Sequence, residues 1–168
     1  MNDTYLDDDF AYAGFGLRLA AIIIDFVIIS SAMWILFFIL GAIGFGIFAS
    51  SAESFDPASG GVPDETAIMA MMGGLGLVYL ITIIGQWLYF ALQESSPAQA
   101  TLGKRAVGII VTDEEGERIS FGRATGRYFG KMISGIILAV GYIMAAFTEK
   151  KQALHDMIAH TLVVKREV

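Results

Sequence analysis

The sequence predicts an all-α membrane protein with a small cytoplasmic β element: two transmembrane helices plus a re-entrant or third hydrophobic helical segment. Two apolar stretches are each long enough to cross a bilayer. More than half of the residues are hydrophobic and the mean hydropathy is positive. A basic segment with short β-branched runs follows the second stretch. A chain of 168 residues makes one domain, and a soluble core of that size could not bury so much apolar surface.

The order is an acidic N-terminal tail, residues 1–11, and then a membrane domain, residues 12–165. The first span covers about 17–40, because about 20 residues suffice to cross and the glycines that follow, Gly41, Gly44 and Gly46, suit a kinked extension outside the hydrocarbon. Its leader is acidic and its apolar run is about twice the length of a signal-peptide core, so it reads as a retained span. One residue breaks the pattern. Asp25 interrupts the otherwise uncharged stretch from Leu19 to Ala49, where a carboxylate costs roughly 2.5 to 3.5 kcal/mol on insertion scales and so requires a partner or a task. Arg18 stands two turns earlier on the same face, about 10 Å along the axis.

Residues 50–66 carry Pro57, Gly60, Gly61 and Pro63 and read as a loop by turn chemistry. The second span covers about 67–92, with Trp87 and Tyr89 placed for an interfacial aromatic belt. The loop contains acids and no Lys or Arg, whereas Lys104, Arg105, Arg118, Arg123, Arg127 and Lys131 follow the second span. The positive-inside bias therefore puts the latter in the cytoplasm and the loop outside.

Val107–Thr112 and Arg118–Phe121 flank an acidic turn and predict a cytoplasmic hairpin within 107–121; residues 161–165 supply a third strand that such a marginal hairpin needs. Ser120 caps a helix starting at Phe121, on which Gly122, Gly126, Gly130 and Ser134 form a small-residue ridge beside a basic ridge of Arg123, Arg127 and Lys131. The basic ridge either reaches anionic headgroups or a buried acid, or is a solvated face. The hydrophobic segment 132–148 is at the lower limit for a crossing and contains Gly135 and Gly141. A crossing would also strand the C-terminal lysines outside, so a re-entrant hairpin packed on the spans is the better reading.

Asp156 is the second acid of interest, flanked by His155, whose imidazole titrates near neutral pH. His155 and His160 are spaced five apart, which does not put them on one helical face as a spacing of four would, so no metal site is expected. The alternative for Asp156 is a local turn or cap acid. Gly103-Lys104 lacks the first glycine of a phosphate loop, Gly44-Phe45-Gly46 lies in an apolar run rather than after a strand, and no Gly-x-Ser-x-Gly elbow occurs. No enzyme activity and no cofactor are expected. The net charge of -6, gathered in tails and loops, argues against nucleic acid, and the lack of cysteine excludes thiolate chemistry.

The run Gly14-Phe15-Gly16-Leu17-Arg18-Leu19-Ala20 leading to Asp25, the element Glu94-Ser95-Ser96-Pro97-Ala98-Gln99-Ala100-Thr101-Leu102-Gly103-Lys104, and Leu154-His155-Asp156 before Thr161-Leu162-Val163-Val164 together resemble the RDD family. The resemblance covers about Tyr12 to Val164 and departs at Gly16, where many relatives carry a bulkier residue. It implies that Arg18, Asp25 and Asp156 form the triad for which the family is named, with Thr101, Gly103 and Lys104 in its Thr-Leu-Gly-Lys element. It also implies a role in transport, with some members resembling sodium/proton antiporters.

Two functional readings follow. In the first, an oligomer transports a small solute or cation, and Asp25 alternates between a proton and a cation under the influence of Arg18 or Arg127. In the second, Arg18, Asp25 and Asp156 form a structural network in a non-transporting adaptor. Arg127, His155, Thr101 and Lys104 support the charged site in either case. The expected setting is the inner (cytoplasmic) membrane of a bacterium, as a multi-pass homo-oligomer whose partners are the bilayer, anionic lipids and a small cation or solute.

Overall fold

A computed structural model describes residues 11–52, 65–136 and 140–166. The acidic tail before Ala11 and most of the proline-containing loop lie outside these residues. The chain divides into two compact units, one formed by the stretch up to Val27 together with Gln86 onward, the other by Ile28–Gly85.

Two long helices carry the apolar stretches. α1 spans Phe15–Ala52 and α2 spans Glu65–Glu94. α1 continues unbroken through Gly41, Gly44 and Gly46, so the glycines do not end it. Within them, Phe15–Gly44 and Met72–Glu94 are long and apolar enough to cross a membrane. Only 6% of the apolar window in each is buried, so these are not core helices of a soluble domain. Among the described side chains of the unit Ile28–Gly85 most are apolar and none is buried, with Trp34, Phe37 and Phe38 clustered at ring separations of 5.9 to 6.3 Å. Its polar Thr82 is satisfied locally, donating to the Val78 carbonyl at 2.8 Å.

The other unit holds the packed core. After α2 the chain turns at Ser95–Gln99, where Ser95 and Ser96 hydroxyls donate to the Ala91 and Gln93 carbonyls, each at 2.7 Å. The short α3, Leu102–Ala106, is capped by Thr101, whose hydroxyl accepts from the Lys104 N–H. Gly108, at φ +72°, reverses the chain into β1, Ile109–Asp113. α4 covers Phe121–Ile136, α5 covers Val140–Ile143 with a 3-10 turn at Met144–Ala146, α6 covers Leu154–Ile158 and β2 covers Thr161–Lys165. Ile109, Val111, Ile119 and Val163 pack with the small Ala13, Ala21, Ala91 and Ala124 to form the core.

The β element differs from the expected hairpin. β1 pairs antiparallel with β2, from Ile109 opposite Lys165 to Asp113 opposite Thr161, whereas Arg118 makes one isolated bridge to Thr112. The acidic stretch is a tight turn instead. The Asp113 carboxylate accepts from the Glu115 and Glu117 N–H groups at 3.2 and 2.8 Å, and Gly116 takes φ +84°. Ser120 then caps α4, accepting from the Arg123 N–H at 3.2 Å, which leaves no room for a longer strand. The far edge of β2 is covered by residues 11–13, through Lys165 N–H to the Ala11 carbonyl and Ala13 N–H to the Val163 carbonyl, both at 2.8 Å.

The hydrophobic segment 132–148 folds back on itself rather than forming one straight helix. A Cβ on Gly141 would lie 2.7 Å from Ser134 Cβ, so α5 approaches α4 at a distance only glycine permits. Half of the small-residue ridge serves a similar purpose. A Cβ on Gly130 would lie 3.0 Å from His155 Cβ, where α6 crosses α4, whereas Gly126 faces open space.

Candidate functional site

Asp25 is buried on α1 at 2% exposure, yet among the described residues no cation pairs with it. Its Oδ1 accepts from the Tyr89 hydroxyl at 2.7 Å and the Gly103 N–H at 2.8 Å; its Oδ2 accepts from the Thr101 hydroxyl at 2.6 Å. The expected compensation by Arg18 or Arg127 is therefore corrected to a cradle of neutral donors. Two helical turns separate Arg18 from Asp25 along the axis, and each has a nearer partner. Gly103 is required for this docking, because a Cβ there would lie 2.8 Å from Asp25 Cγ and against the Ala21 carbonyl. Tyr89 and Trp87 serve inward rather than as a belt: the Trp87 indole donates to the Thr125 hydroxyl at 3.2 Å and its ring packs on Phe121.

Arg18 instead pairs with Asp156 of α6 and also donates to the Ala13 carbonyl at 3.0 Å. Asp156 is fully buried, and its Oδ1 lies 2.8 Å from Arg127 Nη2 of α4 and 3.4 Å from His155 Nε2. It also caps its own helix, accepting from the Ala153 N–H at 3.1 Å. The turn-acid role and the ion-pair role thus coexist. Thr161 closes the turn that follows, its hydroxyl donating to the Asp156 carbonyl at 3.3 Å.

Glu94 at the end of α2 is the residue that sequence reasoning missed. It is fully buried and gathers three cations: Lys104 at 2.7 Å, Lys131 at 3.1 Å and Arg127 at 3.5 Å. Arg127 thereby joins the Glu94 and Asp156 clusters. A signal was present, since Glu94 is the first charge after an uncharged span and heads the motif that contains Lys104. The basic ridge divides: Arg127 and Lys131 turn inward, while Arg123 stays exposed and pairs with Asp113 at 3.1 Å. His160 lies apart from His155, its ring nitrogen 4.0 Å from Glu114 at the surface.

Burial by itself raises the Asp156 carboxyl, but Arg127, His155 and Arg18 together hold it below the usual carboxylate range. Burial pushes the His155 imidazole down to about 3, against the pull of Asp156, so it is neutral at physiological pH. Burial likewise lowers Lys104 to about 7; Glu94 opposes this, and the Arg127 and Lys131 charges add to it.

Both His155 and Asp156 bind fewer protons folded than unfolded. The His155 contribution is complete above the unfolded imidazole value of 6.5 and is lost as pH falls toward the folded value of about 3, whereas that of Asp156 is complete above 3.8 and is lost as pH falls further. Thermal unfolding of the purified chain in neutral detergent should show this loss, at up to about 1.4 kcal/mol per pH unit for each group. His155→Asn should flatten the upper part of the profile and leave a smaller Asp156 part, which begins near 3.8 and rests on Arg127 and Arg18.

The family model described as "RDD family" matches residues 12–160. The chain is 40% identical over 152 residues to a protein of Bacillus subtilis (strain 168) named "Uncharacterized protein YxaI", covering 90% of this chain and 96% of that one. No solved structure matches. The match takes in Arg18, Asp25 and Asp156 with the Thr-Leu-Gly-Lys element that cradles Asp25, and the chain belongs to the RDD family.

Proposed function

We propose that this protein is a multi-pass adaptor of the bacterial cytoplasmic membrane, in which a buried charge network fastens a basic αβ module to the ends of two membrane helices. One observation carries this reading: both Asp25 oxygens are engaged by donors from Tyr89, Thr101 and Gly103. A carboxylate so saturated is a fastening rather than a cation relay, because a cation would have to displace these hydrogen bonds. The network draws side chains from α1, α2, α3, α4 and α6, as expected of a clamp. The positive-inside bias orients the module toward the cytoplasm.

Transport of a small solute by an oligomer is the second reading, favoured by a cavity of about 510 Å³ that Arg18, Asp25, Lys104, Arg127 and Lys131 help to line. Sodium-driven proton flux in proteoliposomes separates the two. The adaptor reading expects none from the wild-type chain; flux that Asp25→Asn abolishes without unfolding the protein would replace it with transport. Asp25→Asn should in any case lower stability by about 1.5 to 3 kcal/mol, since its donors lose a charged acceptor.

A further inference from the structure

The cavity has two chemically distinct parts. At its base lie Arg18, Lys104, Arg127 and Lys131, four cations against the three carboxylates Asp25, Glu94 and Asp156. None of the four cations pairs with Asp25, whose oxygens accept from neutral donors, and with its charge counted the cations still outnumber the carboxylates by one. Arg127 is 1% exposed, yet its Nη1 has no hydrogen-bond partner, and neither has the buried Nη2 of Arg18. A buried guanidinium N–H without an acceptor costs free energy that an anionic oxygen would recover. Lys131 sits beside the same cavity, 4.2 Å over the Phe90 ring and 3.1 Å from Glu94.

The rest of the wall is apolar. Leu19 and Ile22 of α1, Met132 of α4 and Ile143 of α5 line it and are themselves 44 to 53% exposed, so the apolar part continues to the outer surface. A free inorganic anion would use the cationic base and leave this wall unoccupied. An anion attached to an acyl chain uses both.

We propose that the cavity binds the anionic headgroup of an amphiphile, a phosphate or carboxylate held by Arg18, Arg127 and Lys131, with its tail lying along Leu19, Ile22, Met132 and Ile143. This site is independent of the choice between adaptor and transporter, since it concerns what fills the cavity and not whether anything crosses.

Native mass spectrometry of the full chain, released from neutral detergent with equimolar phosphatidic acid and phosphatidylcholine, tests the assignment. Phosphatidic acid should be retained in preference to phosphatidylcholine, and Lys131→Gln should lower its retention about ten-fold, the loss of one charge-assisted hydrogen bond. Ile22→Trp fills the apolar mouth without touching a charge and should also lower retention. Arg123→Gln, which removes an exposed cation outside the cavity, should not. Equal retention of the two lipids, a loss with Arg123→Gln matching that with Lys131→Gln, or full retention in both cavity variants would each overturn the site. Displacement of the lipid by an equal concentration of inorganic phosphate would show a free-anion site and overturn the amphiphile. Melting curves establish that each variant is folded, and Ile22→Trp carries the test if Lys131→Gln is not.

Discussion

Asp156→Asn should destabilise the protein by about 3 to 5 kcal/mol, the cost of leaving buried cations without their counter-charge. Asp156 is fully buried and is the carboxylate to which both Arg18 and Arg127 turn. Arg127 retains Glu94 at 3.5 Å, but among the described residues Arg18 has no second carboxylate within reach. Chemical unfolding in detergent would measure the loss. The double variant Arg18→Met, Asp156→Asn should recover part of it, because removing both charges removes the uncompensated one, with a coupling energy on the order of 1 kcal/mol or more. Strictly additive losses would show that the two residues act separately, against the clamp.

A comparable loss is expected at a position that carries no charge. Gly103→Val should cost about 3 to 5 kcal/mol, because overpacking and the loss of hydrogen bonds to a charged acceptor add together. The new side chain would begin 2.8 Å from Asp25 Cγ and 2.9 Å from its Oδ1, with the Ala21 backbone carbonyl behind, so α3 would have to lift away from α1. Gly126→Ala is the control. No atom lies within 4 Å of its Cβ position, and alanine favours helix by about 1 kcal/mol over glycine, so this variant should be neutral or stabilising. Equal behaviour of the two variants in the same unfolding experiment would mean that the close approach at Gly103 has no energetic role.

Much of the fold was legible in one dimension. The long helices follow from uninterrupted apolar runs, which report their environment residue by residue. The start of α4 follows from Ser120, because a cap is a local hydrogen bond. The strand at Thr161–Lys165 was also visible as a β-branched run joining the 107–121 element, but which part of that element it pairs with was not. Whether Ile109–Asp113 pairs with Arg118 or with the C-terminus depends on the Asp113 turn and on α4 starting so soon afterwards.

The site divides in the same way. Arg18, Asp25 and Asp156 announce themselves as charges in apolar surroundings or through their motif, as do Thr101 and Lys104. Their pairing does not. Arg18 looks to Asp156 from a distant part of the chain, and Asp25 receives N–H and O–H donors that carry no charge and so leave no electrostatic trace in the sequence. Glu94, read only as part of a motif, proves to hold three cations because α2 ends where α3 and α4 converge.

Hydrophobicity is a property each residue brings with it, so the chain alone determined that it has two helices fit for a bilayer and that buried charges would need compensation. Which charge compensates which is a matter of distance between atoms far apart in sequence. Only the packing of α3, α4 and α6 against α1 and α2 decided that Asp25 rests on neutral donors, that Arg18 and Arg127 share Asp156, and that Glu94 gathers the remaining cations.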